Sequence, residues 1–140
     1  MDPGAGTTAA SDARALARTR AFLLGAGLLF LLVFALPLLI APYDWASWFG
    51  WDTHPRTALG VYFGRCLGAV ATAVSVQALL LSRRPARSGP LFPVLCLAAV
   101  LLAVVHVVGA LDDVQPLVED VEALGYAGFA ALAWACRPRQ

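Results

Sequence analysis

The sequence predicts an all-α, polytopic membrane protein, built as a bundle of four transmembrane helices with both termini in the cytoplasm. The first observation is composition: of 140 residues, 60% are hydrophobic and 14% are charged, and the mean hydropathy is +0.74. Soluble domains carry about 25% charged residues, so this chain lies outside their range. The second observation is that apolar residues form runs of bilayer length, and the third is the uneven placement of arginine.

Four runs reach the roughly 20 residues that a helix needs to cross about 30 Å of hydrocarbon. The predicted helices cover about residues 21–41, 57–81, 91–111 and 117–136. The first has no charged residue, and Pro37 is expected to kink its outer end. The second contains Arg65 as its one charge, and the third contains His106. These runs predict a single membrane domain over residues 21–136.

The fourth run is the weakest of the four. Glu119, Asp120 and Glu122 lie in its first turns, and residues 123–136, without charge, are shorter than a span. Pro116 suits the start of a helix, and acids just after it favour the positive end of the helix dipole. We therefore predict that this run also spans the membrane.

The two ends of the chain are polar. Residues 1–20 are rich in Gly, Ala, Thr and Asp, which predicts a disordered segment or a short surface helix, and residues 137–140 form a tail. The first apolar run, 21–41, is longer than the 7 to 15 residues of a signal-peptide core, so we interpret it as a retained helix.

Arginine placement predicts the orientation, because short cytoplasmic loops hold the positive excess. All ten basic residues are arginine, a bias typical of a GC-rich bacterial genome. Three precede the first helix, three lie in the loop 82–90 and two lie in the tail, so eight are on one side. Across the membrane only Arg56 accompanies Asp44, Asp52, Asp112 and Asp113. Both termini of this multi-pass inner (plasma) membrane protein are therefore expected in the cytoplasm.

The first outer loop is crowded with aromatic residues. Its sequence "APYDWASWFGWDTHPR" places Trp45, Trp48 and Trp51 close to Tyr43 and Phe49. Amphipathic rings favour the headgroup level, so the loop is interpreted as an interfacial belt, with a lid over a ligand as the alternative.

Ionisable residues on three helices are predicted to lie in one layer of the outer half. At 1.5 Å per residue, Arg65 lies about 12 Å below the outer end of its helix and His106 about 8 Å below the same surface, with Glu122 at a similar depth. Charges in hydrocarbon are costly and turn inward to pair. We predict an ion pair between Arg65 and Glu122 with His106 beside it. These residues would either form a polar pocket open to the outside or only hold the helices in register.

Two further residues join this predicted cluster on the same side of the fourth helix. Tyr126 lies one turn from Glu122, within reach of its carboxylate, and Glu119 lies one turn before it. Glu119 is also expected to belong to a solvated acidic rim with neighbouring aspartates. On the second helix Gly60, Gly64 and Gly68 form a small-residue ladder, which predicts close helix packing within the bundle or, alternatively, a homodimer.

Several chemistries are set aside. The three cysteines contain no C-x-x-C pair, and only one histidine lies in a span, which argues against a disulfide relay and haem. A metal held by His106, Glu119 and Glu122 has workable spacing but lacks a second histidine. No phosphate loop, nucleophile elbow or zinc-protease motif occurs. We therefore expect no catalytic residues, cofactor, metal or nucleic-acid partner.

The chain resembles the DoxX-like superfamily of small four-helix membrane proteins over about residues 20–136. The resemblance rests on "LPLLIAPYDW" at the end of the first helix, "YFGRCLGAV" in the second, "VVHVVGAL" in the third and "QPLVEDVE" before the fourth. It implies a four-helix bundle whose relatives include membrane subunits that accompany quinone-linked sulfur or oxidative-stress systems. No catalytic residues carry over from it.

Two hypotheses of function follow. In the first, the protein is a non-enzymatic accessory or ligand-binding subunit, and Arg65 helps to orient a small hydrophobic or quinone-like ligand in the polar pocket. In the second, it is a small transporter or proton-linked permease in which His106 and Glu122 exchange protons. The expected partners are the lipid bilayer and a homodimer or larger membrane complex.

Overall fold

The computed structural model describes residues 4–138, which form helices and short connections without a β-strand in that range. The elements in chain order are α1 (Gly4–Leu29), a π-helical segment (Phe30–Ala35), α2 (Leu36–Ile40), α3 (Pro42–Trp48), α4 (Ala58–Ser82), a 3₁₀ turn (Pro85–Arg87), α5 (Leu91–Leu111) and α6 (Leu117–Cys136). The all-α prediction is therefore confirmed.

Three helical stretches of the described chain are long and apolar enough to cross a membrane: Ala10–Ile40, Ala58–Ser82 and Leu91–Leu111. The fourth helix, α6, has the predicted bounds, but its first turns hold the three acids Glu119, Asp120 and Glu122. A fourth span and the cytoplasmic position of both termini stay predictions.

Helix α1 begins much earlier than the apolar run that predicted it. Residues 4–20, expected to be disordered or a short surface helix, lie in the same helix as the apolar part, and residues 1–3 lie outside the described chain. Alanine favours helix, and extension of an existing helix carries no nucleation cost. Thr19 also holds this end in place: its side chain is buried, and its hydroxyl lies 2.6 Å from the Cys136 carbonyl oxygen.

A π-helical segment interrupts the first long helix just before Pro37. Proline has no N–H to donate to the carbonyl four residues earlier, which is that of Val33. The indole N–H of Trp45 donates to this carbonyl oxygen at 2.7 Å, while the Leu36 N–H donates to Leu31 in the wider π pattern. Pro37 thus frees a backbone acceptor, and the freed acceptor fixes α3 against the C-terminal end of the first long helix.

The glycine ladder of α4 packs within the chain. A Cβ atom at Gly68 would run into the Leu39 backbone, one at Gly64 would meet Pro42, and one at Gly60 would meet Tyr43. Only glycine permits this approach, and α2 and α3 therefore cover the ladder. A homodimer through the same ladder would have to displace them.

Packing divides the bundle into two close pairs. Helix α1 and the segments after it pack along α4, and α5 packs along α6; α1 also contacts α6. The pairs meet in an apolar core that contains Phe22, Leu23 and Phe92. Among the described residues α4 and α5 hardly contact each other, so a crevice remains between them.

Hydrogen bonds and an ion pair hold the outer loop against the start of α4. The Tyr43 hydroxyl accepts a hydrogen bond from the Thr57 backbone N–H at 2.9 Å and lies 3.1 Å from the Thr57 hydroxyl, and Arg56 forms an ion pair with Asp44. The Thr57 hydrogen bonds, and to a smaller extent the Arg56 charge, lower the pKa of Tyr43. Thr57 also caps α4 by accepting from the Gly60 N–H.

Candidate functional site

The turn between α5 and α6 brings the candidate site together. Helix α5 ends at Leu111, Asp113 just after it lies in the left-handed region (φ 52°), and the Val114 N–H donates back to the Gly109 carbonyl. The Gln115 side-chain amide then donates to the His106 carbonyl at 2.8 Å and to an Asp120 carboxylate oxygen at 2.7 Å. This glutamine therefore fixes the end of α5 to the first turn of α6, and Gly109 leaves the space that it occupies.

His106, Glu119 and Glu122 meet at this junction. The His106 Nε2 atom lies 2.8 Å from Glu119 Oε2 and 3.8 Å from Glu122 Oε2. His106 is 8% exposed and Glu119 is 7% exposed, whereas Glu122 is half-buried. One nitrogen and two oxygen ligand atoms thus lie within 4.8 Å of one another. We call these three residues the His–Glu–Glu cluster.

The tautomer of His106 follows from its second hydrogen bond. Its Nδ1 atom lies 2.8 Å from the Leu102 carbonyl oxygen, which only accepts, so Nδ1 carries a proton. The Nε2 atom therefore faces the two carboxylates either as a protonated donor or as a lone pair. The cluster is suited to hold a proton or another cation between these atoms.

Trp51 supports the cluster from the outer loop. Its indole N–H donates to Glu119 Oε1 at 2.7 Å, so the other carboxylate oxygen is directed toward His106. Gly50, with a φ of 84°, lies beside Pro116 and turns the loop onto the start of α6. Trp51 was predicted as part of an interfacial belt, and its contact with Glu119 was not predicted. The sequence shows that the indole N–H can donate a hydrogen bond, but it does not show that the acceptor lies 68 residues away.

Tyr126 joins the cluster to the bundle interior. Its ring centroid lies 5.0 Å from that of His106, and its side chain also lines the crevice between α4 and α5. The crevice has a volume of about 190 Å³. Helix α1 and the π segment close one side of it and α6 closes another, while Leu67 and Val70 on its α4 wall remain exposed.

Arg65 lies apart from this cluster. Its side chain is exposed, beside Tyr62 and Cys66 on the outer surface of α4, and within the described chain it forms no ion pair with Glu122. The predicted Arg65–Glu122 pair is therefore wrong. The glycine ladder explains it: α4 turns that face toward α2 and α3, and Arg65, at the edge of the ladder, is left pointing out of the bundle.

Glu119 was expected both in the polar cluster and in a solvated acidic rim, and the second expectation is wrong. It is buried as the direct partner of His106, so it does not belong to a solvated rim. The burial is possible because His106 and Trp51 satisfy its two carboxylate oxygens.

The other two tryptophans of the outer loop, Trp45 and Trp48, lie in different surroundings. Trp45 packs against Phe34 and Phe49 with tilted rings, whose centroids are 5.7 and 4.8 Å away, and is part of the bundle. Trp48 is 75% exposed, as expected of a residue in a membrane interface. Only Trp51 reaches the His–Glu–Glu cluster.

Comparisons with known proteins give no assignment. No family model, curated protein or solved structure matches this chain.

Proposed function

We propose that the protein is a non-enzymatic accessory subunit of the membrane that binds a small hydrophobic, quinone-like ligand between α4 and α5. The observation that carries the proposal is the crevice of about 190 Å³, which is almost wholly apolar and ends at Tyr126 beside the His–Glu–Glu cluster. An apolar cavity of about 150 Å³ is large enough for one benzene ring. The crevice has room for one six-membered ring or a short length of acyl chain.

The crevice suits a ligand that arrives from the bilayer. Leu67 and Val70 line it and are exposed, so the side between α4 and α5 is open where lipid is expected. A ring would enter there and leave its tail in the hydrocarbon. Tyr126 places a hydroxyl group near the polar end, where a quinone carbonyl would accept a hydrogen bond. The resemblance to DoxX-like proteins, some of which accompany quinone-linked systems, favours the same class of ligand.

Filling the crevice from one wall tests this proposal. Ala71 lines the crevice, whereas Ala73 lies on the same helix, is exposed and does not line it. Native mass spectrometry would measure retention of a decyl-substituted benzoquinone by wild type, Ala71→Phe and Ala73→Phe. We expect retention by wild type and Ala73→Phe, and loss in Ala71→Phe. Equal retention by all three variants, or none by wild type, would overturn the proposal.

A proton-linked permease is the second candidate. The 3.8 Å separation of His106 Nε2 and Glu122 Oε2 favours it, because two titratable groups in contact can exchange a proton. Against it, the crevice is almost wholly apolar, and Gln77, nearer the C-terminal end of α4, is exposed and does not line it. In this case Glu122→Gln would abolish pH-driven flux in proteoliposomes, whereas under the ligand-binding proposal no such flux exists.

A further inference from the structure

The His–Glu–Glu cluster places two carboxylates beside one imidazole nitrogen, and a proton on that nitrogen can balance the charge of only one of them. Two carboxylates face one imidazole nitrogen, and no arginine forms an ion pair with Glu119 or Glu122 among the described residues. The chain contains no lysine. Buried carboxylates without a compensating cation are costly, so this site favours a positively charged occupant.

The position of the proton on His106 also favours a cation in this cluster. Because Nδ1 donates to the Leu102 carbonyl, a neutral His106 presents its Nε2 lone pair to Glu119 Oε2 at 2.8 Å. Two lone pairs do not approach this closely without a cation between them. A single proton satisfies one carboxylate only. A divalent ion would neutralise both and use the same Nε2 lone pair.

We propose that His106, Glu119 and Glu122 bind a divalent transition-metal ion of the Zn²⁺ type. Zinc is held by histidine nitrogen and carboxylate oxygen at about 2.0 to 2.2 Å, which places neighbouring ligand atoms about 3.3 to 3.5 Å apart. The separations of 2.8 and 3.8 Å lie on either side of that range. Because the three ligand atoms lie within 4.8 Å of one another, rotation of the side chains would bring them toward those distances.

The groups behind the ligands are also those found around metals. A metal-binding histidine usually donates its other N–H to a carbonyl or carboxylate, as His106 does to Leu102. Ligating carboxylates are in turn hydrogen-bonded, as Glu119 is by Trp51. These contacts direct one nitrogen and one oxygen toward a common point before any ion is bound.

The site has a route of access and an open position. The Glu122 side chain is 21% exposed, whereas those of His106 and Glu119 are 11% and 9% exposed. An ion would enter on the Glu122 side. Three protein ligands leave one position of a tetrahedral zinc for water or another small ligand. Binding of an ion at this site needs no ligand in the crevice.

Metal titration of the detergent-purified, chelator-treated protein tests the proposal. Zn²⁺ affinity is measured by competition with a chromogenic chelator, and Co²⁺ serves as the spectroscopic probe. We expect one equivalent of metal per chain and the intense visible absorption of four-coordinate Co²⁺. X-ray absorption of the Zn²⁺ form should show nitrogen and oxygen neighbours, including one imidazole.

Matched variants separate ligation from folding. In Glu119→Gln the amide can still accept from Trp51 and donate to His106 Nε2, so the fold is retained while a carboxylate ligand is lost. We expect Glu119→Gln and Glu122→Gln each to lower the affinity for Zn²⁺ at least about 100-fold. Trp51→Phe should lower it about 10-fold, as loss of a hydrogen bond to a metal ligand does. Asp120→Asn, which changes an acid in the same turn, should bind as wild type.

Three results would contradict the proposed metal site. Absence of a stoichiometric metal in wild type, or equal affinity in Glu122→Gln, would overturn the proposal, as would a loss in Asp120→Asn as large as that in Glu122→Gln. The crevice variant Ala71→Phe should bind metal normally. Failure of quinone retention with normal Zn²⁺ affinity would therefore reject the proposed function alone, and the reverse result would reject the metal site alone.

Discussion

Arg65 on α4 and His106 on α5 are two ionisable residues at similar expected depths, and the structure gives them opposite surroundings. His106 is 8% exposed and contacts Leu102, Glu119 and Glu122 with polar atoms. Arg65 is exposed on the surface of α4. Depth along a helix therefore does not decide whether a charged group joins the interior. The direction in which the helix packs decides it.

The same contrast separates the two helix pairs. Where α2 and α3 pack on α4, close contact at glycines leaves no room for large side chains, so Arg65 is excluded from this interface. Between α5 and α6, the turn through Gln115 holds the outer ends together around a histidine and two acids. Close packing and polar chemistry thus occupy different interfaces of one bundle. Substitutions at these two interfaces test this division.

Glu119→Ala should give the largest loss of stability. It removes the partner of a buried histidine, a hydrogen bond from Trp51 and the packing of the side chain. Breaking a buried pair costs about 3 to 5 kcal/mol. Thermal unfolding in detergent, followed by circular dichroism, would measure it. In chelator-treated protein Glu119→Gln, which keeps both hydrogen bonds, is the control and should stay close to wild type; an equal loss in both would show that charge, not hydrogen bonding, holds the cluster.

Gly68→Ala should be the next most damaging change. Its new Cβ would press on the Leu39 backbone and the Ala35 carbonyl, neither of which can rotate away. Overpacking of this kind costs about 3 kcal/mol. Gly128→Ala is the matched control, because its Cβ would meet open space and alanine favours helix by up to about 1 kcal/mol. If both variants unfold at the same temperature, the ladder does not fix the orientation of α4.

Trp51→Phe should have a smaller effect, confined to the cluster. Phenylalanine keeps the aromatic ring but not the N–H that donates to Glu119. A hydrogen bond to a charged acceptor contributes about 1.5 kcal/mol or more. Trp48→Phe, at a position that is 75% exposed, should leave stability unchanged. A loss of stability in Trp48→Phe as large as that in Trp51→Phe would mean that the loop acts only as an interfacial belt.

The sequence predicted the helices better than the contacts between them. Apolar runs and flanking prolines predicted 91–111 and 117–136 with the bounds that the structure has, because a helix of bilayer length is a local property of the chain. The Trp51–Glu119 contact depends on how a loop folds back over α6, which periodicity does not encode. Pro37 predicted a kink, yet the π segment before it also required a donor from Trp45.

Arg65 is the residue for which local pattern and packing disagree most. Angles on a single helix placed it at the edge of the glycine ladder, and an edge residue turns inward or outward by a small rotation of the helix. Contacts of Gly64 and Gly68 with α2 and α3 set that rotation. Such contacts join segments about 20 to 30 residues apart in the chain, and they are absent from the pattern of any one segment.

Arg65→Leu should have the smallest effect of the four. Because Arg65 has no ion-pair partner within the described chain, its loss leaves no buried charge behind, and leucine suits a surface in contact with acyl chains. The free energy of unfolding should stay within about 0.5 kcal/mol of wild type, as for other surface substitutions. The same thermal measurement, beside Glu119→Ala, checks it. A loss as large as that of Glu119→Ala would mean that Arg65 and the His–Glu–Glu cluster are parts of one site after all, and the separation of the two interfaces would fail.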